Sequence, residues 1–394
     1  MVSPSLRSLE LSTTRARQFS PFGYATAPVP DNDYTQSEPL FVGLPSAAPH
    51  LSRLFISSRH LPRLIVLPHL LRFSQMRELY LYSNLCSLTP LDLHRLFEAM
   101  PILELLSTHI RDFDSPDHVA SSDTLRELRV NGAGGDLAGL LTHGLQAPYL
   151  HSLLVTIDED VWTPSHDHCI KALSDRQYIS CLRKLKIATQ TYGDEPPIQP
   201  SLPLYPTVVH PLSALRGLEA LDLGILHTLF RLEEVDILAI AQAWPRMKSL
   251  VLSYIPSDSL PSISALRHFA EHCPDLRGLT LTKLNLTGIG DLQDQIPASY
   301  ASRPPHPLQK LDLRMTWGVT PAVSGEAAQS IARFLDTLFP NVQLRERRPD
   351  ISRIDSFFVS WERIETEIRA LRNERTMDLV AWREAHTTMQ GGTR

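Results

Sequence analysis

Apolar positions recur along this chain with a mixed period. In "CPDLRGLTLTKLNL", residues 273–286, Leu279 and Leu281 alternate around Thr280 as in a half-buried strand, while Leu276 stands three positions ahead of Leu279. Neither a plain helix nor a plain strand produces that spacing. The pattern L-x-x-L-x-L, with apolar substitutions, returns at Leu6-Leu9-Leu11, Leu51-Leu54-Ile56, Met76-Leu79-Leu81, Leu125-Leu128-Val130, Leu150-Leu153-Val155, Leu182-Leu185-Ile187, Leu218-Leu221-Leu223, Met247-Leu250-Leu252, Leu276-Leu279-Leu281 and Leu308-Leu311-Leu313. A weaker copy stands at Leu103-Leu106-Thr108. From Met76 onward the copies begin 22 to 36 residues apart, which marks an irregular repeat.

Proline often stands two positions ahead of the first apolar residue, as at Pro49, Pro101, Pro148, Pro245 and Pro274. Proline cannot continue a helix and biases its predecessor toward extended backbone, so it marks a sharp helix-to-strand turn. The segments before it have helical character: "TPLDLHRLFEAM" with Thr89 as N-cap and Pro90 at the first helical position, "RLEEVDILAIAQAW" from Arg231, and "SISALRHFAEHC" from Ser262. Each unit is then strand, loop, helix, proline. One unit cannot bury its own apolar strand face and helix stripe, but stacked units bury both. The expected fold is α/β, with parallel strands on the concave side of an arc and helices on the convex side.

These copies resemble leucine-rich repeat proteins over roughly residues 50–315. The family motif continues with x-x-N/C-x-L, and Met76-Leu79-Leu81-Asn84-Cys86 alone supplies the asparagine; residue 284, its counterpart in the stretch quoted above, is leucine. Losing that side chain removes its hydrogen bonds to loop backbone, so a less regular arc is expected. The P-x-L-x-x-L-x-L arrangement, long helices and abundant Pro and His also resemble the repeat portion of fungal F-box proteins. That resemblance implies a ubiquitin-ligase adaptor, with an F-box contacting Skp and cullin machinery while the repeats hold the substrate. The first copy begins at Leu6, which leaves no room for an F-box ahead of it.

Three regions follow. Residues 1–47 hold the first strand and a mobile connection over 18–47, residues 48–345 form the irregular solenoid, and residues 346–394 form a C-terminal helical segment. Two Pro-rich stretches, 192–206 and 296–307, lengthen the repeat steps and are expected to be extended surface loops. In the last segment Phe357, Trp361, Ile364, Ile368 and Leu371 form one helical stripe, suited to covering the end of the array or docking a partner helix.

Composition adds exclusions. The 394 residues are 43% hydrophobic and 21% charged with formal net charge −5, so no basic field draws the chain to nucleic acid or anionic lipid. Cys86, Cys169, Cys181 and Cys273 lie far apart, which fits neither a disulfide framework nor a zinc knuckle. The most apolar window, "LPRLIVLPHLLRF", is broken by Arg63, Pro68 and His69, and no membrane span is expected. A cytoplasmic or nuclear monomer is the resulting expectation.

Three motifs bear on chemistry. His268-Phe-Ala-Glu271-His272 matches the H-x-x-E-H zinc-peptidase form, but Ile263, Leu266, Phe269, Ala270 and Cys273 define the buried stripe and place both histidines on the opposite, solvated side. "HDHC" gathers His166, His168 and Cys169 without a second ligand pair and is expected to be a solvated helix start. "NGAGGDLAG" lacks the Lys and Ser/Thr of a phosphate loop and is expected to turn into "DLAGLLTHGL". No catalytic residue, cofactor or metal site is expected, and a hydrolase on a repeat scaffold would need convergent polar groups that no recognisable spacing supplies. The expected function is protein recognition. Residues between and beside the inward leucines line the concave face: Tyr80, Tyr82, Glu127, Arg129, Lys184, Lys186, Asp222, Lys310, Asp312 and Arg314. Of these Tyr80, Tyr82, Arg129 and Arg314 rank first, because aromatic and arginine side chains dominate binding hot spots.

Overall fold

The computed structural model describes residues 5–12, 38–57, 63–82, 86–113, 117–159, 162–174, 178–189, 202–257, 260–282, 284–286, 304–313, 323–344 and 356–391. The chain is α/β, with a large parallel sheet flanked by helices. Its strands are β1 (Ser8–Ser12), β2 (Arg53–Ser57), β3 (Glu78–Tyr82), β4 (Leu105–His109), β5 (Ala120–Ser121), β6 (Glu127–Gly132), β7 (Leu145–Gln146), β8 (Ser152–Ile157), β9 (Lys184–Thr189), β10 (Leu202–Pro203), β11 (Ala220–Arg231), β12 (Ser249–Pro256), β13 (Gly278–Leu281), β14 (Lys310–Leu313) and β15 (Gln343–Leu344). Its helices are α1 (Glu38–Ala47), α2 (Arg63–Leu70), α3 (Pro90–Ala99), α4 (Gly134–Gly139), α5 (Pro164–Ser174), α6 (Tyr178–Cys181), α7 (His210–Leu212), α8 (Glu234–Ala243), α9 (Leu266–His272), α10 (Gly325–Leu338) and α11 (Ser356–Gly391). Two compact units divide it, one of Met1–Gln199 and Pro206–Thr228, the other of Pro200–Tyr205 and Leu229–Arg394.

In the first unit the strands run parallel in the order β1, β2, β3, β4, β6, β8, β9, β11, and the leucines align across them. Leu54, Leu79, Leu106, Leu128, Leu153, Leu185 and Leu221 form one row, each at most 2% exposed. Alternation along each strand sends these side chains to one face, where burial of each contributes about 1.5 to 3 kcal/mol. The weaker copy keeps the same phase, since Leu106 stands in register with Leu79 and Leu128. In the second unit β12, β13, β14 and β15 repeat the arrangement, with Leu250, Leu279 and Leu311 in register.

Helix starts follow local chemistry. At α3 the Thr89 hydroxyl accepts from the Asp92 N–H while the Asp92 carboxylate accepts from the Thr89 N–H at 2.9 Å, and Pro90 occupies the first helical position. The helix expected from Arg231 starts later, with Glu233 as the N-cap of α8, because Arg231 is still within β11. The segment from Ser262 begins with a short 3-10 turn, Ile263–Ala265, before α9.

Several expectations need correction. Residues 38–47 of the expected mobile connection form α1, with Phe41 and Leu44 buried; residues 18–37 lie outside the described part. Most of 192–206 and 296–307 also lies outside it, but Leu202–Pro203 pairs with β11 and His306 is buried, its Nε2 at 3.0 Å from the Cys273 carbonyl. Apolar Leu204 and Leu308 anchor those ends in the core. His166 and His268 are buried as well, at 0% and 9% exposure; Trp162 stacks on the His166 ring with centroids 4.7 Å apart, and His268 lies against Glu234 of α8. His168 is exposed and His272 half-buried.

His166, His268 and His306 share one consequence. Burial is the largest cause acting on each and holds its pKa below the ordinary imidazole value, which favours the neutral ring. The unfolded chain protonates these rings near pH 6.5 while the folded chain resists, so their contribution to stability is present above that pH and is lost as pH falls toward the folded values. The melting temperature should therefore fall between pH 7.5 and 5, and His306→Gln should flatten the fall. A melting temperature that holds or rises over that range would count against buried neutral histidines.

Candidate functional site

The polar positions of the alternating strands define a second face in the first unit, and strand register orders them in rows. One row runs Glu10, Phe55, Tyr80, Ser107, Arg129, Leu154, Lys186, Asp222; its neighbour runs Ser8, Arg53, Glu78, Leu105, Glu127, Ser152, Lys184, Ala220. Phe55, Tyr80 and Tyr82 cluster, with ring centroids 5.8 Å (Phe55 to Tyr80), 5.2 Å (Phe55 to Tyr82) and 6.3 Å (Tyr80 to Tyr82) apart. The guanidinium groups of Arg53 and Arg129 lie 5.6 and 5.8 Å from the centroid of the Tyr80 ring, within cation–π range. Ser107, small and buried between Tyr80 and Arg129 in the row, leaves space for that approach.

Charges on this face are largely paired internally. Arg129 Nε and Nη2 both donate to Glu127 Oε1, at 2.7 and 2.6 Å; Arg53 lies 3.3 Å from Glu78, and Lys186 lies 2.9 Å from Asp222. Desolvation would lower the Arg129 pKa, but the Glu127 carboxylate and the Tyr82 hydroxyl outweigh it and raise it. Burial pushes the Tyr80 phenol up, and the neighbouring Glu78 carboxylate adds to that. The result is a preorganised surface of aromatic rings and pinned arginines.

Of the expected binding residues, Tyr80, Tyr82, Glu127, Arg129, Lys184, Lys186 and Asp222 share this face, whereas Lys310 and Asp312 belong to the second unit and Arg314 lies outside the described residues. Tyr80 is only 8% exposed, because Phe55, Tyr82 and two arginines crowd it, so its role is to support Tyr82, which is 38% exposed. Asp312 is likewise buried at 9%, not solvated. Phe55 and Arg53 were missed. Their signal was present, since "RLFIS" places Phe55 between Leu54 and Ile56 as Tyr80 stands between Leu79 and Leu81.

At the carboxyl end of the same strands a polar cluster forms that no spacing announced. His109 closes β4, and its Nε2 lies 2.5 Å from Asp158 Oδ2, just beyond β8; Ser87 Oγ lies 2.8 Å from His109 Nδ1. The imidazole and carboxylate are each 17% exposed, and Ser87 is 5% exposed. Leu88 N–H donates to the His109 carbonyl at 2.8 Å and Arg111 N–H to the Leu88 carbonyl at 3.1 Å, which holds Ser87 beside the ring.

Beside this cluster, Glu159 bridges two helix starts. It accepts from Gly134 N–H at 2.8 Å, from Thr163 Oγ1 at 2.6 Å and from Ser165 Oγ at 2.9 Å. A Cβ on residue 134 would come within 2.8 Å of Ser165 Oγ, so glycine permits this approach. Burial opposes ionisation of Glu159, and these hydrogen bonds more than offset it, so its pKa is lowered. His166 Nδ1 accepts from Thr163 N–H at 3.1 Å and caps α5. Within "HDHC", His166 is thus a buried helix-start residue and Cys169 is buried beside it, while Asp167 and His168 are exposed. Among the described residues, no group of three His, Cys, Asp or Glu side chains is placed to hold a metal, and no helix is long and apolar enough to cross a membrane. No protein-family model and no curated protein matches the chain.

Proposed function

We propose that the protein is a leucine-rich repeat solenoid that recognises a protein partner through the open strand face of its first unit. The carrying observation is the cluster of Phe55, Tyr80 and Tyr82 clamped by Arg53 and Arg129. Rigid aromatic area and a guanidinium already fixed by Glu127 lose little conformational freedom on binding, which is the property that makes hot spots. Parallel in-register leucines and a helix following most strands support the repeat reading.

Affinity purification with mass spectrometry tests the proposal, with Skp and cullin peptides the signature of the ligase-adaptor form. Tyr82→Ala and Arg129→Ala should each weaken capture of the wild-type partner about tenfold or more, with melting temperatures within about 2 °C of wild type. Tyr80→Ala is unsuited to that comparison because its buried ring also supports the fold. Capture that survives both substitutions moves the site off this face.

A further inference from the structure

We propose that Ser87, His109 and Asp158 form an acyl-transfer site in which Ser87 Oγ is the nucleophile toward small, activated acyl esters. The three residues stand 22 and 49 positions apart in sequence and converge at the carboxyl ends of parallel strands, the margin where open α/β sheets place their ligand sites. One assignment of hydrogens satisfies both contacts: a carboxylate accepts, so the His109 hydrogen sits on Nε2, 2.5 Å from Asp158 Oδ2. Nδ1 is then the bare nitrogen, and Ser87 donates its hydroxyl proton to it across 2.8 Å. A serine donating to a histidine that donates to a carboxylate is the arrangement that activates a hydroxyl, recognised by roles and geometry and not by chain order. Here the two ring nitrogens exchange the positions they hold in serine proteases, which leaves the proton relay intact because either nitrogen can act as base while the other donates.

Each step balances. Ser87 Oγ bonds to the ester carbonyl carbon as its proton passes to His109 Nδ1, and the imidazolium is stabilised by Asp158. The tetrahedral species collapses by breaking the bond to the leaving oxygen, which takes that proton from His109. A water molecule then attacks the acyl-serine, gives a proton to His109, and releases the carboxylic acid as Ser87 recovers its proton. Ser87 is 5% exposed, so the smallest activated ester, an acetyl ester, is the probe of choice.

The probe is p-nitrophenyl acetate, with release of p-nitrophenol followed by absorbance and the acetylated residue located by mass spectrometry of the intact chain's digest. Acetylation of Ser87 ahead of every other serine is expected, and Ser87→Ala should cut p-nitrophenol release at least about tenfold. Asp158→Asn should slow it by a similar factor, because the amide no longer fixes the tautomer. Wild-type protein that acquires no Ser87 adduct, or a folded Ser87→Ala variant that releases p-nitrophenol at the wild-type rate, overturns the proposal. The wild-type adduct decides the question even where a variant does not fold. These residues lie outside the aromatic cluster, so failure here leaves the recognition face untouched.

Discussion

Leu279→Ala should destabilise the protein by about 2 to 5 kcal/mol, the range for deleting a leucine from a core that cannot close over the gap. Leu279 is 1% exposed and stands in register between Leu250 and Leu311, themselves 1% and 0% exposed. Both neighbours are held by strand pairing, so neither can move in to fill the space. Thr280, one position on, is half-buried on the other face between Val251 and Asp312, and Thr280→Ala should cost less than about 1 kcal/mol. A urea titration of the two variants measures the difference. Equal losses would mean that the strand phase is inverted.

A comparable effect is expected where α11 docks on α10. Ile364 and Ile368, two of the five stripe residues, are 0% and 2% exposed, so the first part of α11 covers α10. Within that contact the Asp336 side chain, 5% exposed, accepts from Arg372 Nε at 3.2 Å and from Arg375, while Arg372 Nη1 also donates to the Val342 carbonyl at 2.8 Å. Removing both arginines strands a buried carboxylate, and R372A/R375A should cost about 3 to 5 kcal/mol. Adding Asp336→Leu should then recover part of the loss, because it removes the uncompensated charge instead of a contact. Urea titrations of the double and triple variants, with helicity followed by circular dichroism, provide the comparison. No recovery in the triple variant would show that lost packing, not the buried charge, dominates.

The repeat phase was legible because it is local. Leu79, Leu128, Leu153 and Leu185 each sit two residues before a second apolar residue, and that alternation alone selects a face of whatever strand forms. Thr89, Pro90 and Asp92 likewise carry the start of α3 within four consecutive residues. Burial of polar residues was not legible in the same way. Whether Tyr80 or His268 meets water depends on side chains such as Phe55, Arg129 and Glu234, which belong to positions 25 residues away or more, at spacings that vary from copy to copy. The meeting of Ser87, His109 and Asp158 has the same origin. Stacking parallel strands in register brings their carboxyl ends together, so residues that close different strands become neighbours through the sheet's hydrogen bonds, a relation that one-dimensional spacing does not encode.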